Sequence, residues 1–267
     1  MSERFRFDVD GEKLTAIVYP AHKPLGSTLL LGHGASAGQR DRFMVDYATG
    51  LAERGVLVVT YDFPFMEHER RRPDSSDVLA ACCRAAIVAA RQCRPKNRIF
   101  IGGKSLGGRI AAQVAAAGGD EVYDLAGLVL LGYPLHPVGK RAGSAARHLD
   151  GLRVPVLFVQ GTRDPFGTPD DLHDLLGALP KGSEVHAVSG GDHSFSVPKR
   201  GTQTQGEVRA EILDDVARWI AAAPAVAKAQ PKVKATPRVR ARPQPTAARA
   251  ASHVRDRLRS RRRSAGA

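Results

Sequence analysis

The feature that most constrains the fold of this chain is an alternation: short apolar runs bounded by turn residues are separated by longer stretches of helical period. Strands are predicted near Leu14 to Tyr19, Thr28 to Gly32, Val56 to Tyr61, Ile99 to Gly102, Leu125 to Gly132, Val156 to Gly161 and Glu184 to Val188. Helices are predicted near Phe43 to Arg54, Ser76 to Cys93, Leu106 to Ala117, Pro169 to Leu179 and Gly206 to Ala222. The last of these puts Val208, Ile212, Val216 and Trp219 on one face, as a helix packed on a sheet requires. Strands and helices in alternation give an α/β fold with a mostly parallel sheet covered by helices on both faces.

At 267 residues the chain has room for one sizeable domain of this kind. Its formal charge of +13 is unevenly placed. Residues 224–267 hold ten arginines, three lysines and the single acid Asp256, so this tail carries +12 and the rest is almost neutral. The tail is rich in Ala, Pro and Arg and almost free of large apolar residues. It cannot bury enough surface to offset its ordering entropy, so a folded domain at 1–223 and a disordered basic tail at 224–267 are expected, with at most a short basic helix near Ala247 to Arg263. The tail's cations suit non-specific contact with nucleic acid or another polyanion, whereas sequence-specific reading would need interleaved aromatics. The opening MSERFRFDVDGEKL is polar and no apolar run approaches a membrane span, which leads to the expectation of a soluble, cytoplasmic protein. Cys82, Cys83 and Cys93 share one predicted helix and read as reduced structural residues, not a disulfide framework.

The stretch RIFIGGKSLGG, Arg98 to Gly108, contains both Gly-Lys-Ser and Gly-x-Ser-x-Gly. A phosphate-binding loop needs a glycine five positions before the Gly of Gly-Lys-Ser, and that position is Arg98; the apolar run Ile99 to Ile101 also leaves no room for a phosphate cradle. A nucleophile elbow needs a buried strand, a tight turn and a helix, with glycines two before and two after the serine, and Gly103 and Gly107 meet that need around Ser105. A serine nucleophile requires a base and an acid that orients the base. PVLFVQGTRDPFG puts Asp164 just past one strand, and EVHAVSGGDHSF puts His193 just past the next, on the same edge of the sheet. Asp192 and Asp170 are the lesser candidates for the acid. Each residue also has a plainer reading, Ser105 as a helix N-cap, Asp164 as a turn residue and His193 as a loop histidine, but their coincidence in the order Ser, Asp, His favours catalysis.

For the oxyanion, the Leu106 amide at the start of a helix is one donor, and the loop GHGASAG after an early strand offers the second, Ala35 ahead of Ser36. His33 in that loop reads as a structural brace more than a group that meets substrate. His136, in GLVLLGYPLHP, lies just past a strand end on the ligand-binding edge and is a candidate pocket residue. Lys104 and Arg109 flank the serine, where they could attract an anionic substrate, but a solvated or salt-bridged position is the better account of both; the run HERRRPD from His68 to Asp74 reads as a basic rim or, as charge runs usually are, solvated surface. No histidine or cysteine cluster has metal-ligand spacing and no dinucleotide glycine pattern follows the first strand, so neither a metal nor another cofactor is expected.

Together GHGASAG, GGKSLGGRIA, LLGYPLHPVGK, PVLFVQGTRDPFG and GGDHSF resemble the α/β-hydrolase-like family that includes testis-expressed protein 30 and a subunit of the NSL chromatin complex, and are similar to dienelactone-hydrolase-type enzymes. The resemblance spans about Gly26 to Ala222 and implies an α/β-hydrolase fold without a large cap domain, with Ser105 as nucleophile, Asp164 as acid and His193 as base. HGAS departs from the HGAG often seen in related enzymes; the expectation is that Ser36 narrows or polarises the oxyanion loop, which leaves the second donor open between Ala35 and Ser36. The expected activity is hydrolysis of a small or medium carboxylic ester, or a thioester or amide, through an acyl-enzyme. The alternative is a non-catalytic interaction protein that keeps the fold as a scaffold.

Overall fold

The computed structural model of the chain describes residues 2–139 and 149–224. The basic tail beyond residue 224, with its predicted short helix, lies outside the described residues, as does the stretch 140–148 between Tyr133 and Arg153.

The strands are β1 (Glu3–Val9), β2 (Glu12–Tyr19), β3 (Ser27–Gly32), β4 (Leu57–Tyr61), β5 (Arg98–Lys104), β6 (Leu125–Leu131), β7 (Val156–Gly161) and β8 (Glu184–Val188). The helices are α1 (Arg42–Glu53), α2 (Pro64–Glu67), α3 (Ser76–Cys93), α4 (Leu106–Ala117), α5 (Pro169–Leu176) and α6 (Gln205–Ala222). The strands form one sheet in the order β1-β2-β4-β3-β5-β6-β7-β8. β1 and β2 pair antiparallel, as do β2 and β4, and every other neighbouring pair is parallel. β3 through β7 are buried almost throughout, which is why their sequences are continuous apolar runs.

Helices cover both faces. Leu79, Cys83 and Ile87 of α3, Ile110 and Val114 of α4 and Leu172 of α5 join one core layer. Met44 and Leu51 of α1 and Ile212, Val216 and Trp219 of α6 join the other. Local sequence starts these helices cleanly: Asp41 and Ser75 cap α1 and α3, while Thr168 with Asp171 and Thr204 with Glu207 form capping boxes on α5 and α6.

Three elements depart from the sequence reading, the first being α2, a single turn too short to show a helical period. β1 was not predicted, because ERFRFDV buries only Phe7 fully and carries charge on its open face, as an edge strand does. α5 ends at Leu176, not Leu179, because residues beyond Gly177 tighten into shorter turns, with the Ala178 amide donating to Leu175 O and that of Leu179 to Leu176 O.

The chain order places the site. From β3 the chain crosses to β4 on one side, while β5 lies on β3's other side. The connections leaving β3 and β5 therefore head in opposite directions at the carboxyl edge of the sheet, the edge where ligands bind in open α/β sheets.

Candidate active site

Ser105 stands where β5 turns into α4, with φ 50° and ψ −111°. This backbone region strains a residue that has a Cβ, by about 1–3 kcal/mol, and persists only where its surroundings impose it. Here they do. The Ser105 amide donates to Leu131 O at 3.0 Å, and its carbonyl accepts from the Arg109 amide at 3.0 Å. Gly103 and Gly107 let the turn close: a Cβ on Gly103 would stand 2.5 Å from the Gly32 carbonyl oxygen, and one on Gly107 would be closer still. Although Ser105 precedes α4, its side chain makes no capping bond, so the hydroxyl is left for another partner.

That partner is His193, whose Nε2 lies 2.9 Å from Ser105 Oγ. On the far side of the ring, Nδ1 lies 2.8 Å from Asp164 Oδ2. A carboxylate accepts and cannot donate, so Nδ1 carries the proton and Nε2 is left to accept from the serine hydroxyl. The Asp164 side chain is fully buried. It is fixed by the Phe166 amide, which donates to Oδ1 at 2.9 Å, and by Gln160 Nε2, which donates to Oδ2 at 2.8 Å. Asp192 does other work: its Oδ1 accepts from the Ser194 and Ser196 amides and shapes the turn that carries His193. Asp170 is exposed in the first turn of α5.

The Leu106 amide begins α4, where the helix dipole is positive. The loop after β3 passes on the other side of the serine, so close that a side chain on Gly34 would reach to 3.9 Å from Ser105 Cβ, with exposed Ala35 and Ser36 next in line. His33 anchors this loop from below. It is fully buried, Nδ1 donates to Gly34 O at 2.7 Å, and Nε2 accepts from the Phe63 amide at 3.0 Å. Burial lowers its proton affinity, consistent with a neutral ring, and with both nitrogens engaged it has none free for a ligand. Gln39 and Asp62 extend the brace: the Gln39 amide donates to Asp62 Oδ1 at 2.7 Å and Gln39 Nε2 to Asp62 Oδ2 at 2.8 Å.

His136 is half-buried, and its amide donates to Phe166 O at 3.0 Å. The Phe166 ring in turn lies against the His193 ring, their centroids 4.6 Å apart. His136 thus lies behind the Phe166 ring and is tied through it to His193. Beside the β3 loop, a polar cavity of about 460 Å³ is lined by Ser36, Ala37, Arg40, Asp62 and Glu69 among others.

Sequence reasoning missed Gln160, whose signal was a lone amide in the otherwise apolar run PVLFVQG. It misjudged Lys104. Instead of being solvated or paired, this side chain is 7% exposed and its Nζ makes no hydrogen bond to any of the described residues. The buried thiols are held in their protonated form, since burial pushes Cys83 up to about 11 and raises Cys82 as well. Among the described residues, no helix is long and apolar enough to cross a membrane.

Residues 26–221 match the model of a family described as alpha/beta hydrolase domain. Among solved structures, the chain is similar to a lidless α/β serine hydrolase from Xanthomonas campestris, with 20% identity and a TM-score of 0.64 over 84% of this chain and 97% of that one. It is also similar to Est1E from Butyrivibrio proteoclasticus with ferulic acid bound, at 17% identity and a TM-score of 0.64 over 81% of this chain and 99% of that one. A dienelactone hydrolase from Anabaena variabilis matches at 18% identity and a TM-score of 0.63, over 82% and 96% of the respective chains.

Proposed function

The chain belongs to the alpha/beta hydrolase domain family, and from that premise we propose that it is a serine hydrolase acting on small or medium carboxylic esters through an acyl-enzyme. The observation that carries this reading is the unbroken line Ser105 Oγ, His193 Nε2, His193 Nδ1 and Asp164 Oδ2, with contacts of 2.9 and 2.8 Å, built on a strained serine that does no capping. In the reaction, Ser105 attacks the ester carbonyl while His193 takes its proton, and Asp164 holds the resulting imidazolium. The amides of Leu106 and Ala35 receive the oxyanion. His193 then returns the proton to the leaving alcohol, and water repeats the cycle to release the acid.

The esterase and dienelactone hydrolase neighbours support an ester or lactone substrate, and thioesters and amides share the same chemistry. The segments quoted above also resemble the branch of testis-expressed protein 30 and the NSL subunit, where a scaffold role is the competing reading. A scaffold has no need of a strained serine and an intact relay. The basic tail adds a separate property, salt-sensitive contact with polyanions, which its +12 charge supports.

The test is turnover of a p-nitrophenyl ester series of increasing acyl length. Ser105→Ala is expected to remove at least about 1,000-fold of kcat with the fold intact. Equal turnover by wild type and Ser105→Ala would sink the proposal.

A further inference from the structure

Lys104 is the last residue of β5 and the neighbour of Ser105, yet no step above uses it. Its Nζ is shut away from solvent and has no hydrogen-bond partner among the described residues. The amine sits against the turn that carries the base: a Cβ on Gly132 would stand 3.0 Å from Lys104 Nζ, 3.5 Å from His193 Nδ1 and 2.8 Å from His193 O. The charged and titratable groups that face it are Asp164, from the turn after β7, and Asp192 and His193, from the turn after β8. From the other side α1 presents the Phe43 ring, its centroid 5.8 Å from Nζ.

A buried ammonium with no hydrogen bond burdens a fold, and such a group beside a nucleophile argues for use. What it supplies is charge. Asp164 is buried as a carboxylate, and the three groups that hydrogen-bond it, the Gln160 side chain, the Phe166 amide and the His193 ring in its resting form, are all neutral.

We infer that Lys104 is a positioning residue: its ammonium compensates the carboxylates of Asp164 and Asp192, and so holds the Asp164–His193 pair aligned on Ser105. The inference rests on the serine-hydrolase reading. Burial pushes the Lys104 ammonium down to about 8, against the opposing pull of Asp164 and Asp192. The charge is therefore present at neutral pH and is lost as pH rises through about 8, and kcat falls with it. KM does not, because the enclosed amine meets no substrate.

The experiment measures kcat and KM for p-nitrophenyl acetate between about pH 6 and 10 in wild type, Lys104→Met and Lys104→Arg, together with the low-field proton resonance of the His193 Nδ1–H bonded to Asp164. Wild type is expected to lose kcat with a midpoint near pH 8. Lys104→Met should lose about tenfold to a hundredfold in kcat at neutral pH, with KM unchanged, no alkaline decline and a weakened low-field resonance. Lys104→Arg, whose cation does not titrate in this range, should recover part of kcat and keep it above about pH 9. A Lys104→Met protein with wild-type kcat, the same alkaline limb and an unaltered resonance would overturn the inference. A folded wild type that turns over no ester would instead sink the hydrolase reading, while the resonance still reports the alignment without turnover.

Discussion

Replacing Lys104 with Met should make the protein more stable, although it removes a charged group beside the site. The unfolded chain holds this ammonium near its ordinary value of 10.5, and burial brings it down to about 8 in the fold. At about 1.4 kcal/mol for each tenfold change in proton affinity, carrying the charge into the fold costs about 3 kcal/mol at neutral pH. Met has nearly the same length and needs no proton, so Lys104→Met should gain about 2–3 kcal/mol in urea denaturation at pH 7. For a domain of this size that is roughly 5–10 °C in Tm. The sign of the pH dependence is fixed. Because the folded value is depressed, the unfolded state binds more protons between about 8 and 10.5, so wild-type stability recovers as pH rises through that window. The advantage of Lys104→Met should be complete below pH 8 and shrink steadily above it. A variant destabilised at pH 7, or a gain that does not change between pH 7 and about 9.5, would refute the reasoning.

Gln160→Leu should lose about 2–4 kcal/mol in chemical denaturation, since it strips hydrogen bonds from the buried Tyr133 amide, Gly167 carbonyl and Asp164 carboxylate; a loss below 1 kcal/mol would show that the lock is dispensable. Gly107→Ala should give insoluble or uncooperatively melting protein, because the new methyl group would collide with the Gly32 backbone, which cannot swing aside as a side chain would; soluble expression with a wild-type melt would contradict this. Deleting residues 224–267 should abolish retention on heparin at low salt while leaving ester turnover unchanged; retention that survives would move the polyanion contact to the folded domain.

The parts of the fold legible in the sequence were those set by burial on both faces. β3, β5, β6 and β7 are apolar runs with nothing to mimic, and α3 and α6 are long enough to show their period. β1 was illegible because one of its faces is wet and charged, and α2, one turn long, has too few residues to show a period. In the site, Ser105, Asp164 and His193 stand out because each follows a strand at a glycine or proline turn, the strands before Ser105 and Asp164 being buried almost throughout. Their spacing says nothing about what lies beneath them. Gln160 and Lys104 act from inside the protein, where what matters is which strand ends are neighbours, and that order, β5-β6-β7-β8, is fixed by pairings distant in sequence. Periodicity marks Lys104 only as a polar residue after an apolar run, and such residues are usually solvated.

The central claim, that Ser105 is an activated nucleophile, is tested most directly by intact-mass analysis after exposure to a fluorophosphonate, with Ser105→Ala and His193→Ala alongside wild type. The account predicts one covalent adduct on wild type, none on Ser105→Ala, and labelling slowed by about a thousandfold or more on His193→Ala. Folded wild type that stays unlabelled, or an adduct that persists on Ser105→Ala, would contradict it.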